Sequence, residues 1–231
     1  MAMIDIHTHL LPSVDDGSAS LEQSLKMLSE EVKQGITDVI ITPHYRFGYN
    51  MEESGLKKEF EKFKSAVLDA GIQVNLYLGQ EIYYDQDTKR RLLNGELLTL
   101  ADSKYVLLEF SFGTYVDIAE VVYEFKREGY EPIVAHFERY GYADQKLASE
   151  IRQTGGYVQV NASSIVGKKN RPYKRFVKKL FKAGLVDFVA SDFHSFRENE
   201  MQSSYKKIEK KFGADVAEKV FNLNAQKIIK G

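Results

Sequence analysis

One arrangement of hydrophobic and polar positions recurs along the chain: an amphipathic stretch, a glycine, then a short and almost wholly apolar run. It appears in QGITDVIIT, AGIQVNLYL, EGYEPIVAH, TGGYVQVN and AGLVDFVAS. Gly35, Gly71, Gly129, Gly155 and Gly184 sit where a helix stops and the next residue needs positive φ. Before these glycines the apolar residues have helical spacing. Leu21, Leu25, Leu28 and Val32 recur on one face, as do Ile118, Val121, Val122 and Phe125. After them the runs are short and β-branched, which suits strands of a parallel sheet covered on both faces. Met3 to Ile6 and Tyr105 to Phe110 fit the same description. About seven strands alternating with helices predict an α/β fold, one (β/α) domain over residues 1–231.

Charge changes little in this picture. The chain has 231 residues, with 32 basic against 33 acidic and a net charge of -1. Such balance gives no bulk attraction to nucleic acid or to an anionic membrane. A basic run from Lys168 to Lys182 interleaves with Tyr173, Phe176, Val177, Leu180 and Phe181. It reads as a surface helix with a solvated basic face, its aromatics at core spacing, rather than as a nucleic-acid patch. No apolar run approaches the roughly 18 residues of a membrane span. The opening MAMIDIHTHLL lacks the basic n-region of a signal peptide, so the expected location is the cytoplasm. Cysteine is absent, which excludes disulfides, thiolate metal sites and a cysteine nucleophile.

The chemistry gathers at strand ends. All 5 histidines, namely His7, His9, His44, His136 and His194, lie at or just after the end of a predicted strand. Glu81, Glu109 and Asp192 share that placement, and Asp15 and Asp16 lie in the loop after the first strand. In a barrel these ends converge on one mouth, where catalytic groups collect. Imidazole with carboxylate suits zinc, manganese or iron rather than calcium. Residues two apart on a strand share a face, so His7 and His9 can grip one ion. The same spacing joins Asp192 and His194. So many donors exceed the coordination of a single ion and suit two or three, with a carboxylate such as Glu81 shared between them. Clustered metals fit hydrolysis at phosphorus. Arg46, Arg139 and Arg197 each follow a candidate ligand into the mouth loops, and the planar guanidinium fork matches phosphate.

The segments MIDIHTHLLPSVDDGS, TPHYRFG, GQEIYY, LLEFSF, VAHFERY and ASDFHS together resemble the polymerase and histidinol phosphatase (PHP) family. Within it they are most similar to bacterial tyrosine-protein phosphatases encoded with capsular or exopolysaccharide genes. The resemblance implies a distorted (β/α)7 TIM-like barrel and three divalent metal ions, most often manganese. It implies His7, His9, Glu81 and Asp192 on one ion, and Glu81, Glu109 and His136 on a second. It implies an acid of the DDG loop with His44 and His194 on a third; Asp16 is preferred to Asp15. Arg139 matches the family's phosphate-binding arginine, whereas Arg197 falls closer to the D-x-H motif than the family's second arginine does. The implied substrate is a phosphotyrosine-bearing protein, the tail of a bacterial tyrosine kinase controlling capsule or exopolysaccharide synthesis.

Other functions compete. A small-molecule phosphatase such as one acting on histidinol phosphate would use the same metals. A kinase-binding module with catalysis lost should lack ligands, yet the set is complete. A metal-dependent amidohydrolase shares the H-x-H start but leaves the arginines unexplained. Tyr45, Phe47, Tyr49, Tyr83 and Tyr84 fall in mouth loops, where simple loop packing competes with a role as an aromatic substrate slot.

Overall fold

The computed structural model describes residues 2–166 and 171–230. Lys168, Lys169 and Asn170 of the basic run therefore lie outside the described residues. Strands β1 (Met3–Thr8), β2 (Ile36–Ile41), β3 (His44–Tyr45), β4 (Asn75–Leu78), β5 (Glu81–Tyr83), β6 (Tyr105–Glu109), β7 (Glu131–Val134), β8 (Tyr157–Asn161) and β9 (Phe188–Ala190) all pair in parallel. Their order is β1-β2-β4 and β3-β5-β6-β7-β8-β9. Helices α1 (Leu21–Lys33), α2 (Glu53–Asp69), α3 (Thr88–Leu93), α4 (Ile118–Arg127), α5 (Gln145–Gln153), α6 (Ala162–Val166) and α7 (Arg171–Lys182) lie between them. After β9 come α8 (Met201–Phe212), α9 (Ala214–Glu218) and α10 (Asn224–Ile229). The result is an α/β fold around a curled parallel sheet.

Two predicted strands that end at Thr42 and Leu78 are each followed, past a break at the same level, by a second short strand. Pro43, which has no N–H to give, separates β2 from β3. Gly79 separates β4 from β5, and a Cβ there would lie 2.6 Å from Leu100 Cδ2. Hydrogen bonds from Gly79 N to Ile41 O (2.8 Å) and from Glu81 N to Pro43 O (3.1 Å) carry the pairing across both breaks. Glu81 consequently opens a short strand of its own instead of trailing β4, and it stands directly opposite His44.

Alternation then sorts the side chains. Leu107 is opposite Glu81 on one side and Ile133 on the other. Leu107 and Ile133 belong to a cluster with Ile4, Ile6, Ile40 and Phe188 that α10 seals with Ala225 and Ile228. Glu109, two residues beyond Leu107, shares its face. An apolar layer inside the curl thus carries a polar layer above it, at the strands' C-terminal ends. A second and larger cluster lies between sheet and outer helices.

The last strand comes back to the first. Thr8 bridges Phe193, Asp192 N donates to His7 O at 2.9 Å, and His9 N donates to Phe193 O at 3.0 Å. The β1–β2 register shifts between Asp5 and Thr8. Such irregularities re-aim side chains near active sites; here Asp5 lies towards α1 while His7 joins the polar layer.

The five glycines of the repeat have φ between +67° and +92°. The predicted face of α4 is the buried one. On α1 the buried face is rotated to Ser24, Met27, Leu28 and Glu31, leaving Leu21 exposed, because Ser24 bonds Ser18 and Glu31 reaches Ser191.

Candidate metal centre

The polar layer contains every imidazole of the chain. Three sets of donor atoms lie close enough to share an ion: His9, Asp16, His44 and His194; His7, His9 and Glu81; and His44, Glu81 and Glu109. Glu81 is the hub. Its Oε1 is 3.3 Å from His7 Nε2 and accepts from His136 Nε2 at 2.8 Å. Its Oε2 is 2.7 Å from His44 Nδ1 and 3.4 Å from His9 Nε2. Asp192 Oδ1 lies 3.8 Å and 3.6 Å from His7 and His9. Glu109 Oε1 is 3.6 Å from His136 Nε2. Asp16 Oδ1 is 3.3 Å from His44 Nε2 and 3.5 Å from His194 Nε2.

The two acids of the DDG loop differ sharply. The Asp15 side chain is 1% exposed and Oδ2 accepts from His9 Nδ1 at 2.7 Å. The same oxygen accepts from His44 N at 3.0 Å, and Oδ1 accepts from Gly17 N at 2.9 Å. These three hydrogen bonds tie Asp15 to His9, His44 and Gly17. Asp16 is 36% exposed and turns to His44 and His194. Gly17 is pressed onto His9, since a Cβ there would sit 2.1 Å from His9 O.

Electrostatics favour cations. Burial opposes ionisation of Glu81 and Asp192, yet His7 and its neighbours hold both well below the usual carboxylate range. Burial and then the Glu81 charge push Glu109 up to about 8. Burial draws His136 down to about 4, and burial with the His9 charge draws His194 down to about 3. Burial opposes charging of His7 and His9 too, yet the carboxylates beside them push both up, His9 to about 10, so the acids of this layer draw positive charge onto whatever lies among them. Glu109 Oε2 and His136 Nδ1 are buried without a hydrogen-bond partner. These donors fit divalent metal ions.

His136 and Asp192 have positive φ, +31° and +51°. Non-glycine residues there cost about 1–3 kcal/mol each and cluster at functional sites. Below them β8 supplies an amide relay that spacing alone did not single out. Gln159 Oε1 accepts from His136 N (2.7 Å) and faces His7 Nδ1 (3.4 Å). Gln159 Nε2 donates to Asn161 Oδ1 (2.9 Å), and Asn161 Nδ2 donates to Asp192 Oδ2 (2.8 Å). The visible signal was two polar residues, two apart, in the apolar strand YVQVN. Asp5, Glu31 and Ser191 form a further buried polar group behind His7.

All three arginines reach the rim, each against a ring. Arg139 Nη1 lies 3.3 Å from Asp192 Oδ2, with the guanidinium 4.5 Å from the Phe112 centroid. Arg197 pairs with Asp192 and donates to its carbonyl at 2.8 Å, 5.3 Å from Phe196. Arg46 donates to Asp16 Oδ2 at 3.0 Å and sits 5.4 Å from Tyr49. Loop packing accounts for some of the mouth aromatics: Tyr45 accepts a hydrogen bond from Arg91, and Tyr84 lies against Phe110 and Phe125. It does not account for Phe47, which is fully exposed.

Comparison with known proteins fits this geometry. Tyrosine-protein phosphatase CpsB of Streptococcus agalactiae is 35% identical, covering 99% of this chain and 98% of its own. Tyrosine-protein phosphatase YwqE of Bacillus subtilis is 32% identical over 93% of this chain and 87% of its own. A structure from a study of YwqE and of CpsB from Streptococcus pneumoniae, described as unique metal-dependent tyrosine phosphatases, superposes with a TM-score of 0.93. It is 30% identical and covers 99% of this chain and 94% of its own. The family model for capsular polysaccharide synthesis proteins of the CpsB/CapC type matches residues 3–230, and the chain belongs to that family.

Proposed function

We propose that this protein is a metal-dependent protein-tyrosine phosphatase, in which the PHP-type distorted (β/α)7 barrel is the full description of the curled sheet. One observation carries the reading: imidazoles and carboxylates converge inside a rim of three guanidinium groups, in a chain that has no cysteine. Three divalent ions, manganese ahead of iron or zinc, would be held by these donors. His7, His9, Glu81 and Asp192 would take the first, Glu81, Glu109 and His136 the second, and Asp16, His44 and His194 the third. The short distances within each set support this grouping. When bound, the ions supply Lewis acidity for the phosphate oxygens and activate the attacking water.

The chain's own residues do the rest. Asp15, Gln159 and Asn161 fix the orientation of His9, His44, His136 and Asp192, which matters because ligand position sets metal affinity. Arg139 rests on Asp192 from the rim, and an incoming phosphate competes for the same N–H groups. Its planar fork suits two non-bridging oxygens and remains charged as the transition state develops. Arg197 and Arg46 are placed to take further oxygens. A tyrosine phenol has a pKa of about 10, so it departs more readily than an alkoxide and needs little help from a general acid.

The natural substrate in this reading is a phosphotyrosine-bearing protein in the cytoplasm, the tail of a bacterial tyrosine kinase that controls capsular or exopolysaccharide synthesis. The test is hydrolysis of a phosphotyrosyl peptide and of histidinol phosphate side by side, with manganese and after chelation. Release from the peptide should be faster and should stop on chelation. A rate indifferent to chelation, or a preference for histidinol phosphate, would refute the proposal.

A further inference from the structure

Away from the metal centre, α6, α7 and α8 enclose a cavity of about 200 Å³. Its floor is apolar: Val177, Phe181, Ile208 and Phe212 line it, and the two phenylalanine rings stack at 5.3 Å. Its rim is cationic, made by Lys174, Arg175, Lys178, Lys207 and Lys211, and among the described residues no carboxylate lines it.

The charge around this cavity is lopsided. From Lys174 to Lys182 the sequence is KRFVKKLFK, without an acid; α8 contributes YKKIEKK, whose one acid is Glu209. The whole chain is at -1, so the compensating acids lie elsewhere. A solvated basic face explains the outermost cations. It does not explain cations held over an apolar hollow. Lys174 Nζ donates to Val166 O at 3.0 Å and Lys207 Nζ to Ile165 O at 2.5 Å. Among the described residues no rim cation forms an ion pair with a carboxylate, and Glu200 is the acid whose field reaches both Lys174 and Lys207. Burial and then the Lys174 charge push Lys207 down to about 8, the sign of positive charge without its counterpart.

A basic rim alone would suit any polyanion. Nucleic acid binding to single strands wants exposed rings for the bases. Here Phe181 is buried and stacked on its neighbour. A polysaccharide would cover the rim and leave the apolar hollow unfilled, and a peptide would fill both only where an apolar side chain stands clear of its acids. A ligand with an anionic head and a hydrocarbon tail satisfies both parts. We propose that the α6–α8 face binds anionic lipid at a bilayer surface, the lipid phosphate lying on the Lys and Arg rim and an acyl segment entering the cavity.

The test uses the full chain and sedimentation with vesicles. Protein should pellet with phosphatidylglycerol vesicles at low salt, not with phosphatidylcholine, and high salt should release it. Each basic side chain near an anionic surface is worth roughly a factor of five, so the charge-reversed variant R175E/K178E/K211E should partition at least about a hundredfold less. These side chains are exposed, and an unchanged thermal midpoint would show that the variant folds. If it does not, Lys178→Glu alone should lower partitioning at least about fivefold. Monomeric dioctanoyl phosphatidylglycerol should bind where glycerol phosphate does not. Equal pelleting with both vesicle types, undiminished binding by the folded variants, or glycerol phosphate binding as tightly as the lipid would overturn the proposal. None of these readouts depends on phosphatase activity.

Discussion

Replacing Asp15 with asparagine exchanges one atom of a side chain that is almost sealed from water. In the native protein Oδ2 serves His9 Nδ1 and His44 N, while Oδ1 serves Gly17 N. An asparagine can turn its carbonyl to the two histidine donors or to the glycine, never to both. In the cheaper orientation the Gly17 N–H faces an NH2 group, and a buried donor left unmatched costs about 1–3 kcal/mol. The two surviving bonds lose their charged acceptor, worth about 1 kcal/mol each. The total is about 3–5 kcal/mol, which for a chain of this size lowers Tm by about 10 °C. Metal affinity should fall about 10- to 100-fold, as expected when a group that orients a ligand is lost. Asp16→Asn makes the contrast. Its side chain is one third exposed, so the metal-free Tm should shift by no more than the equivalent of about 0.5 kcal/mol, while turnover collapses. Thermal scans with and without metal, with a manganese titration of each variant, read both quantities. If Asp15→Asn keeps its Tm and metal affinity while Asp16→Asn loses stability, the roles have been assigned the wrong way round.

Four further outcomes are expected. Chelation should lower Tm and manganese should restore it, because binding to the native state stabilises by mass action; an unchanged Tm in chelator would contradict a metal site here. Arg139→Lys keeps the charge but not the fork, so catalytic efficiency should drop about 10- to 1000-fold in turnover with metal content intact; a wild-type rate would move the phosphate clamp elsewhere. Gly17→Ala should displace His9 and cost both Tm and metal affinity, and wild-type behaviour would show that the loop yields easily. Glu31 and Asp5 are buried together, and burial pushes Asp5 up to about 6 and Glu31 well above its ordinary value. A folded-state pKa above the unfolded one gives stability that is full below pH ~4 and lost as pH rises through the folded value. Glu31→Gln should therefore raise Tm at pH 8 relative to wild type, the gain shrinking towards pH 5; a constant difference across that range would point to packing instead.

Much of the fold was legible because each repeat carries its own punctuation. The glycines ending the helices needed a conformation that few other residues adopt, and their φ values follow. The donors were legible because histidine at a strand end has little structural reason to be there. What stayed hidden depends on neighbours distant in sequence. Spacing cannot separate Asp15 from Asp16, since adjacent acids differ only in which one the fold buries. The breaks at Pro43 and Gly79 follow from a missing donor and from Leu100, although the proline itself was in plain view. The rotation of α1 follows from Glu31 and Ser24, polar residues that a hydrophobic pattern counts as solvent-facing. Gln159 and Asn161 read as ordinary strand polarity until their partners just past the ends of β7 and β9, His136 and Asp192, are known.

The meeting of the first strand with the last has a consequence for how the molecule comes into being. His7 and His9 leave the ribosome early; Asp192 and His194 leave it near the end, and Thr8 bridges Phe193 only when both are present. Contacts so distant in sequence close late, because loop entropy must be overcome before they give anything back. Earlier donors wait with two orphaned histidines whose remaining partners have not yet been made. Glu81, Glu109 and His136 are all made before β9, but the sets that include Asp192 or His194 are not, so any chain cut short before β9 lacks a complete pocket. The seam therefore joins the two ends of the chain through the very residues whose donors it brings together, so closing the curled sheet and completing that part of the site are one event.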